Sequence, residues 1–233
     1  MYKKILVFLV LAGTGSIFLG FYETFEERST LNPMASVYAE SGPAEVGAAN
    51  LVTAVIVTYR GLDTLGEVTI LFLTAAIIGF FLKSIHEGEK KNHGPRMSSE
   101  LLVTASRALA PVVFLLGIYV FINGHLTPGG GFQGGAIIAS GLVLMLLAEP
   151  AMKVSHKLIR TVESISGFAF VGLGVAGIFL AGGFLDNDFL PLGKFGELFS
   201  AGAIPVIYSF IGLKVGSELS AIISNLNESQ KTA

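Results

Sequence analysis

Cysteine and tryptophan are both absent from this chain, and charge is scarce. Without cysteine the chain offers no disulfide, no thiolate-held zinc and no iron–sulfur ligands, so any redox centre it works with belongs to another polypeptide. Charged residues make up 14% of the sequence, against roughly 25% in an average soluble domain. A net charge of -2 and the lack of a basic run interleaved with aromatics argue against nucleic acid as a partner. The one glycine-rich run lacks the Gly-Lys-Ser/Thr ending of a phosphate loop, which argues against nucleotide binding. No Ser/His/Asp triad, HExxH or catalytic carboxylate pair stands out, which argues against a self-contained membrane enzyme. No metal site is indicated.

What is present is apolar. Hydrophobic residues reach 52%, glycine numbers 29, and the mean hydropathy is +0.70. Lipid is the expected solvent, and an all-α, polytopic helical bundle the expected fold. Uncharged stretches run over Ile5–Tyr22, Val46–Tyr59, Val68–Leu82, Ala108–Ala148, Ser164–Leu185 and Leu198–Leu213. Ala108–Ala148 holds two spans, because Asn123–Gly131 is a turn-rich insert. Leu198–Leu213 extends past Lys214, whose long side chain is expected to snorkel. Lys3 and Lys4 before an apolar run could mark a signal peptide, but the A-x-A-like site Val37-Tyr38-Ala39 lies far beyond Tyr22, so a retained first span is favoured.

Positive charge sets the topology. Lys3 and Lys4, the segment Lys83–Arg107 and the segment Glu149–Arg160 are expected in the cytoplasm. The acidic segment Glu23–Glu45, with Asn123–Gln133 and Asp186–Glu197, is expected outside. The stretch Val46–Leu82 must then cross an odd number of times. One crossing at about Thr64–Lys83 is expected, with Val46–Tyr59 a partial, re-entrant or interfacial helix. The result is six spans with both termini cytoplasmic in the cell membrane; seven spans with the N-terminus outside is the alternative. The expected organisation is a two-span unit over 1–85, a polar linker over 86–99, a four-span unit over 100–225 and a polar tail over 226–233.

Two constellations carry chemistry. In Arg60-Gly61-Leu62-Asp63-Thr64-Leu65-Gly66-Glu67, a helix would place Arg60, Asp63 and Glu67 on one face. Val68–Leu82 spans about 22 Å as a helix, short of the ~30 Å hydrocarbon core, which draws Glu67 into or to the edge of the apolar layer. An intramembrane carboxylate is a candidate ion-pathway group. The competing reading is an Arg–carboxylate clamp on a broken helix. The second constellation is His125-Leu126-Thr127-Pro128-Gly129-Gly130-Gly131-Phe132-Gln133-Gly134-Gly135. Gly129, Gly130 and Gly131 suit a tight turn, and Gly134 and Gly135 permit close helix approach. His125 is more simply a hydrogen-bonding anchor than a ligand or proton relay. Glu149 and Glu163 read as interfacial charges.

The His125–Gly135 segment resembles the hallmark of the MnhB/MrpB family, a small membrane subunit of Mrp-type Na+/H+ antiporters. The resemblance covers roughly Ser98–Asn225. The segment Tyr59–Glu67 is similar to the C-terminal tail of the large MrpA subunit, a unit that also occurs as a small subunit of archaeal membrane-bound hydrogenases. The resemblance implies that Arg60 and Glu67 match that family's important Arg and Glu, and that Pro128 and Phe132 match the functional Pro and Phe of the MrpB family. Fusion of the two units looks like the arrangement in complex I-related respiratory complexes, hydrogenase or sulfane sulfur reductase, the latter preferred. This implies a non-catalytic subunit of a redox-driven complex that transports Na+ or H+, with nickel–iron and iron–sulfur centres only in partner subunits. Other Mrp-like membrane subunits, hydrogenase-like redox subunits and membrane lipid are the implied partners. Arg60, Asp63 and Glu67 are then ion-pathway candidates and the Pro128–Gly135 loop an assembly element. A subunit of a stand-alone Na+/H+ antiporter, or a purely structural sealing subunit, are the rival readings.

Overall fold

A computed structural model describes residues 2–25, 30–86 and 98–232 of the chain. The described residues form helices and contain no strand. The elements are α1 (Tyr2–Glu23), α2 (Pro33–Val46), a single turn α3 (Leu51–Thr53), a π-helical turn (Ala54–Tyr59), α4 (Gly61–His86), α5 (Glu100–Ile122), α6 (Gly131–Ala148), α7 (His156–Leu180) and α8 (Ile204–Thr232). Six helices, α1 and α4 to α8, are long and apolar enough to cross a membrane. The expected six-span bundle with one partial helix is therefore what forms, and the chain is a multi-pass membrane protein. Residues 87–97, most of the expected linker, and 26–29, part of the expected acidic segment, lie outside the described residues.

Two compact units are distinguished, Met1–Val37 and Tyr38–Ala233. In the first, α1 is apolar along its length and contains no buried residue. Asn32 ends this unit's loop by accepting a hydrogen bond at 2.7 Å from the Ala35 amide, a capping contact that satisfies one of the unpaired donors of a helix start.

In the second unit α8 is the central helix, packed by α4, α5, α6 and α7. Its core positions Ile204, Ile207 and Ile211 are fully buried. Glycine brings the helices together. A Cβ on Gly134 would sit 2.6 Å from the Gly117 carbonyl of α5, and one on Gly135 2.7 Å from the Gly212 carbonyl of α8. Without side chains at these points the backbones approach closely, the usual basis of helix association in lipid. Serines start two of the helices: Ser99 caps α5 and Ser155 caps α7, each accepting from the amide three residues on at 3.3 Å.

The bundle has two ends. One carries the starts of α5 and α7 and the 149–155 turn, with Arg107, Lys153, Lys157 and Arg160; it is called the basic end below. The other carries the 123–130 loop and the long 181–203 loop. That long loop is tied down by Asn187, which is fully buried. Its amide donates to the Val46 carbonyl at 2.9 Å and the Ala201 carbonyl at 3.1 Å, and its oxygen accepts from the Thr58 hydroxyl at 3.1 Å. Leu185 and Ala201, both at φ 61, are held in the left-handed region within this loop. Such a conformation in non-glycine residues persists only where surroundings dictate it.

Candidate functional site

The first candidate site lies where the helix that begins at Leu51 breaks. Asn50 caps it, its side chain accepting from the Val52 amide at 3.1 Å. The π-helical turn Ala54–Tyr59 then widens the backbone, and Arg60 ends it at φ -125 and ψ 36. Carbonyls freed by such a break need partners. The Thr64 hydroxyl supplies one, donating to Ile56 O at 2.8 Å. Gly61 opens α4 where a Cβ would meet Leu185 at 3.0 Å. Arg60 and Asp63 form an ion pair at 2.5 Å, and both side chains are more than half exposed on this chain. Glu67, one turn further along α4, is also exposed and makes no hydrogen bond or ion pair among the described residues. Arg60 and Asp63 are thus brought together, while Glu67 stands apart on the lateral surface of a spanning helix.

The second is the 123–135 loop and the start of α6. Its backbone is held by the segment around α3. The Asn50 amide donates to Gly124 O at 2.9 Å and to Thr127 O at 3.0 Å, and the Thr53 hydroxyl donates to Gly124 O at 2.6 Å. The Asn50 backbone N–H donates to His125 O at 3.0 Å. Tyr208 of α8 donates to Thr53 at 3.1 Å and closes the contact from the other side. Gly130 lies against Tyr208 and Gly131 against Ile211, leaving no room for a Cβ at either. A Cβ on Gly129 would meet the Val120 carbonyl at 2.9 Å. Phe132 packs partly buried against the chain's own core, while Pro128 is exposed. His125 is fully buried: Nε2 lies 3.4 Å from the Glu197 carbonyl, and Nδ1 has no partner among the described residues. Burial holds its imidazole below the ordinary value of 6.5, so it is neutral at neutral pH.

A third cluster escaped the sequence reading. Lys214 was expected to snorkel to the membrane surface and Glu163 to sit at the interface. Instead the Lys214 ammonium lies inside the bundle, 2.7 Å from Glu218 and 3.6 Å from Glu163, with both lysine and glutamates at most 18% exposed. Snorkelling fails for a physical reason. The lysine stem passes over Gly167 of α7, where a Cβ would be 3.2 Å away, and its ammonium sits 4.6 Å from the centre of the Phe72 ring of α4. Carboxylate partners within the bundle remove the incentive to reach water. By contrast Glu149 is a surface group, paired with Arg107 at 2.5 Å at the basic end. No group of three or more metal-ligating side chains occurs among the described residues.

These features match known proteins. A domain related to the MnhB subunit of Na+/H+ antiporters matches residues 101–221, and the MbhE family, a component of the membrane-bound hydrogenase MBH, matches residues 2–91. The chain belongs to the family related to the antiporter subunit MnhB. An uncharacterised protein of Methanocaldococcus jannaschii is 33% identical over 196 residues, covering 73% of this chain and 74% of that one. A chain of the membrane-bound sulfane sulfur reductase, an archaeal respiratory membrane complex, is 37% identical with a TM-score of 0.81, covering 97% of this chain and 98% of that one. A chain of the Mrp complex from Dietzia sp. shares the fold, with a TM-score of 0.77 and 24% identity, over 97% of this chain but 26% of that one. The resemblance to the MnhB/MrpB family and to hydrogenase small subunits is thereby established.

Proposed function

We propose that this protein is a membrane subunit of an Mrp-type cation/proton antiporter module within a complex I-related respiratory complex of the sulfane sulfur reductase or hydrogenase kind. The observation that carries this reading is the end-to-end correspondence with a sulfane sulfur reductase chain, 97% and 98% of the two lengths. Both units of the present chain are joined there in one polypeptide. The chain contributes to Na+/H+ translocation and to assembly and holds no cofactor itself; nickel–iron and iron–sulfur centres reside in hydrogenase-like partners. It lies in the cell membrane with both termini in the cytoplasm, which puts the basic end on the cytoplasmic side.

Glu67 is the charge-bearing group of the pathway. Asp63 pairs with Arg60 at 2.5 Å, which leaves Glu67 as the carboxylate available to a cation or proton. A bare carboxylate on the lateral face of a spanning helix is costly in lipid, so a neighbouring Mrp-like subunit covers it and the path runs between the two chains. Pro128, exposed on the 123–130 loop, meets another subunit, while Phe132 and the glycines Gly129, Gly130, Gly131, Gly134 and Gly135 fix the shape of that loop. A second reading, a subunit of a stand-alone antiporter, is favoured by the fold shared with the Dietzia Mrp complex.

Copurification in mild detergent separates the two readings. Redox subunits in the isolated assembly support the first, and their absence from an active antiporter supports the second. The pathway role is tested with Glu67→Gln in the whole complex reconstituted into liposomes. Assembly is expected to survive, and Na+- and H+-gradient formation to fall. An assembled variant that moves both ions at the unmodified rate leaves Glu67 without a transport role.

A further inference from the structure

Two carboxylates and one ammonium meet inside the spanning part of the bundle. Lys214 and Glu218 stand one turn apart on α8 at 2.7 Å, and Glu163 of α7 approaches the same ammonium at 3.6 Å. With all three ionised the cluster carries one net negative charge. Among the described side chains, no further cation of α4, α6, α7 or α8 balances it. Arg60 is paired with Asp63, Lys157 and Arg160 are exposed, His156 is engaged by Glu228 at 2.6 Å, and α6 has no charged residue at all. Glu218 is completely buried, yet neither of its oxygens accepts a hydrogen bond from the described residues, so its contact with Lys214 is close but poorly aligned. A structural clamp built only for stability would satisfy those oxygens, since an uncompensated charge in a low-dielectric interior costs several kcal/mol. Aligned to receive something, the cluster is one positive charge short.

A route to it exists. A cleft of about 270 Å³ opens between α4, α7 and α8. Its walls include Ala75, Ala76 and Gly79 of α4 and Ala221 of α8, small residues that leave space where the helices could otherwise close. Glu163 lines its inner part, and His156 and Asn225 line the part nearest the basic end. The seven residues from His156 to Glu163 correspond to about 10 Å of helix, so the cleft reaches well into the membrane from one side only.

We infer that Glu163, Lys214 and Glu218 form a proton-loading site reached through this cleft from the basic end of the bundle. A proton from cleft water binds a carboxylate oxygen of Glu163 and passes to Glu218, while Lys214 keeps its ammonium and holds both oxygens within reach. No bond other than O–H forms or breaks, and the loaded cluster is neutral. A metal cation is the poorer occupant, because the lysine ammonium already fills the space between the carboxylates. This deepens the proposed transport function and rests on it only for the use made of the proton, not for its binding.

The test uses the intact complex. Dicyclohexylcarbodiimide attacks protonated carboxyls in apolar surroundings and spares ionised ones. Mass spectrometry of the treated complex should find the adduct on Glu163 or Glu218, with a yield that falls several-fold as the pH is raised from 6 to 9. Glu163→Gln and Glu218→Gln, both shape-preserving, should lower proton-gradient formation in liposomes on the order of tenfold per assembled complex, the scale of losing one proton-transfer group. Lys214→Met, which removes the ammonium, should raise the adduct yield at pH 8 above that of the unmodified chain. No adduct on either glutamate at any pH, or full proton pumping by both assembled glutamine variants, overturns the inference. If those variants pump normally while Glu67→Gln does not, the loading site falls and the transport function stands. If the unmodified complex moves no ion at all, the transport function falls, and the adduct yield still decides whether the cluster takes up a proton.

Discussion

Arg60, Asp63 and Glu67 face outward from the start of α4, whereas Glu163, Lys214 and Glu218 meet between α7 and α8. The first group is more than half exposed at its ion pair; the second is at most 18% exposed. Both sets put carboxylates at membrane depth, where a charge without a partner is costly. They resolve that cost differently. The buried cluster finds its counter-charge within the chain, so it belongs to the fold. The lateral group satisfies Asp63 through Arg60 and leaves Glu67 to be satisfied by another subunit, so it belongs to the assembly. Charge that the monomer leaves open is therefore a marker of where the complex closes.

The sharpest way to break this contrast is to remove the two basic residues separately. Lys214→Ala strips a buried cluster of its only ammonium, and breaking a buried pair by one partner costs about 3–5 kcal/mol. The variant chain should be degraded or absent from membranes, as read by immunoblot. Arg60→Ala should leave this chain itself in place, because an exposed pair contributes at most about 1 kcal/mol. Its loss should appear instead as a complex that comes apart in detergent. Equal abundance of the two variant chains, each assembled, would erase the distinction between fold charge and assembly charge.

Gly135 offers a test of intermediate size. A methyl group there would meet the backbone of α8 at 2.7 Å, where no flexible side chain can give way. Gly135→Ala should cost about 1–3 kcal/mol through overpacking and lower the melting temperature of the purified complex. Gly66→Ala, a change close to the lateral group with nothing within 4 Å of the new carbon, should leave that temperature unchanged or slightly raised. A melting temperature indifferent to Gly135→Ala would mean that the α6–α8 seam does not hold the bundle together.

The number of spans and the partial helix were legible because they rest on length alone. Val46–Tyr59 is too short to cross, and the structure ends it in a π-helical turn at Arg60. The lateral group was legible because Asp63 and Glu67 interrupt an otherwise apolar stretch. Lys214 was misread because it follows the uncharged run Leu198–Leu213, where a lysine normally marks the membrane surface. The signal that places it inside is what comes next. Val215, Leu219, Ile222 and Ile223 continue the apolar pattern, and α8 runs on to Thr232, so Lys214 falls near its middle. Its spacing to Glu218, one helical turn, was also visible. Glu163 had no such signal, because its partner lies on another helix. Asn187 had none either: a polar residue in a loop expected to face water gives no hint that it binds Val46, Thr58 and Ala201 at once.

The smallest expected effect concerns His125, which sits beside the segment that leads into the lateral group. The imidazole is buried, with Nδ1 lacking a partner among the described residues and Nε2 3.4 Å from a carbonyl, so its surroundings offer little to a positive charge. Its folded pKa lies below the ordinary 6.5, for which burial is the main cause. Protonation is thus easier in the unfolded chain. Stability from this group is complete above about pH 6.5 and is lost as the pH falls towards the lower folded value, with a limiting slope of about 1.4 kcal/mol per pH unit for one proton. The purified complex should therefore melt at a lower temperature at pH 5.5 than at pH 7.5. His125→Gln keeps a neutral polar group in the same space and should flatten part of that slope, although other groups retain theirs. Subtracting the two pH profiles isolates the histidine. A difference profile that is level between pH 5 and 7.5 would mean that the imidazole titrates alike in the folded and unfolded chain. The anchoring of the loop would then rest on the Asn50 and Thr53 bonds to its backbone, and the burial of His125 would carry no weight.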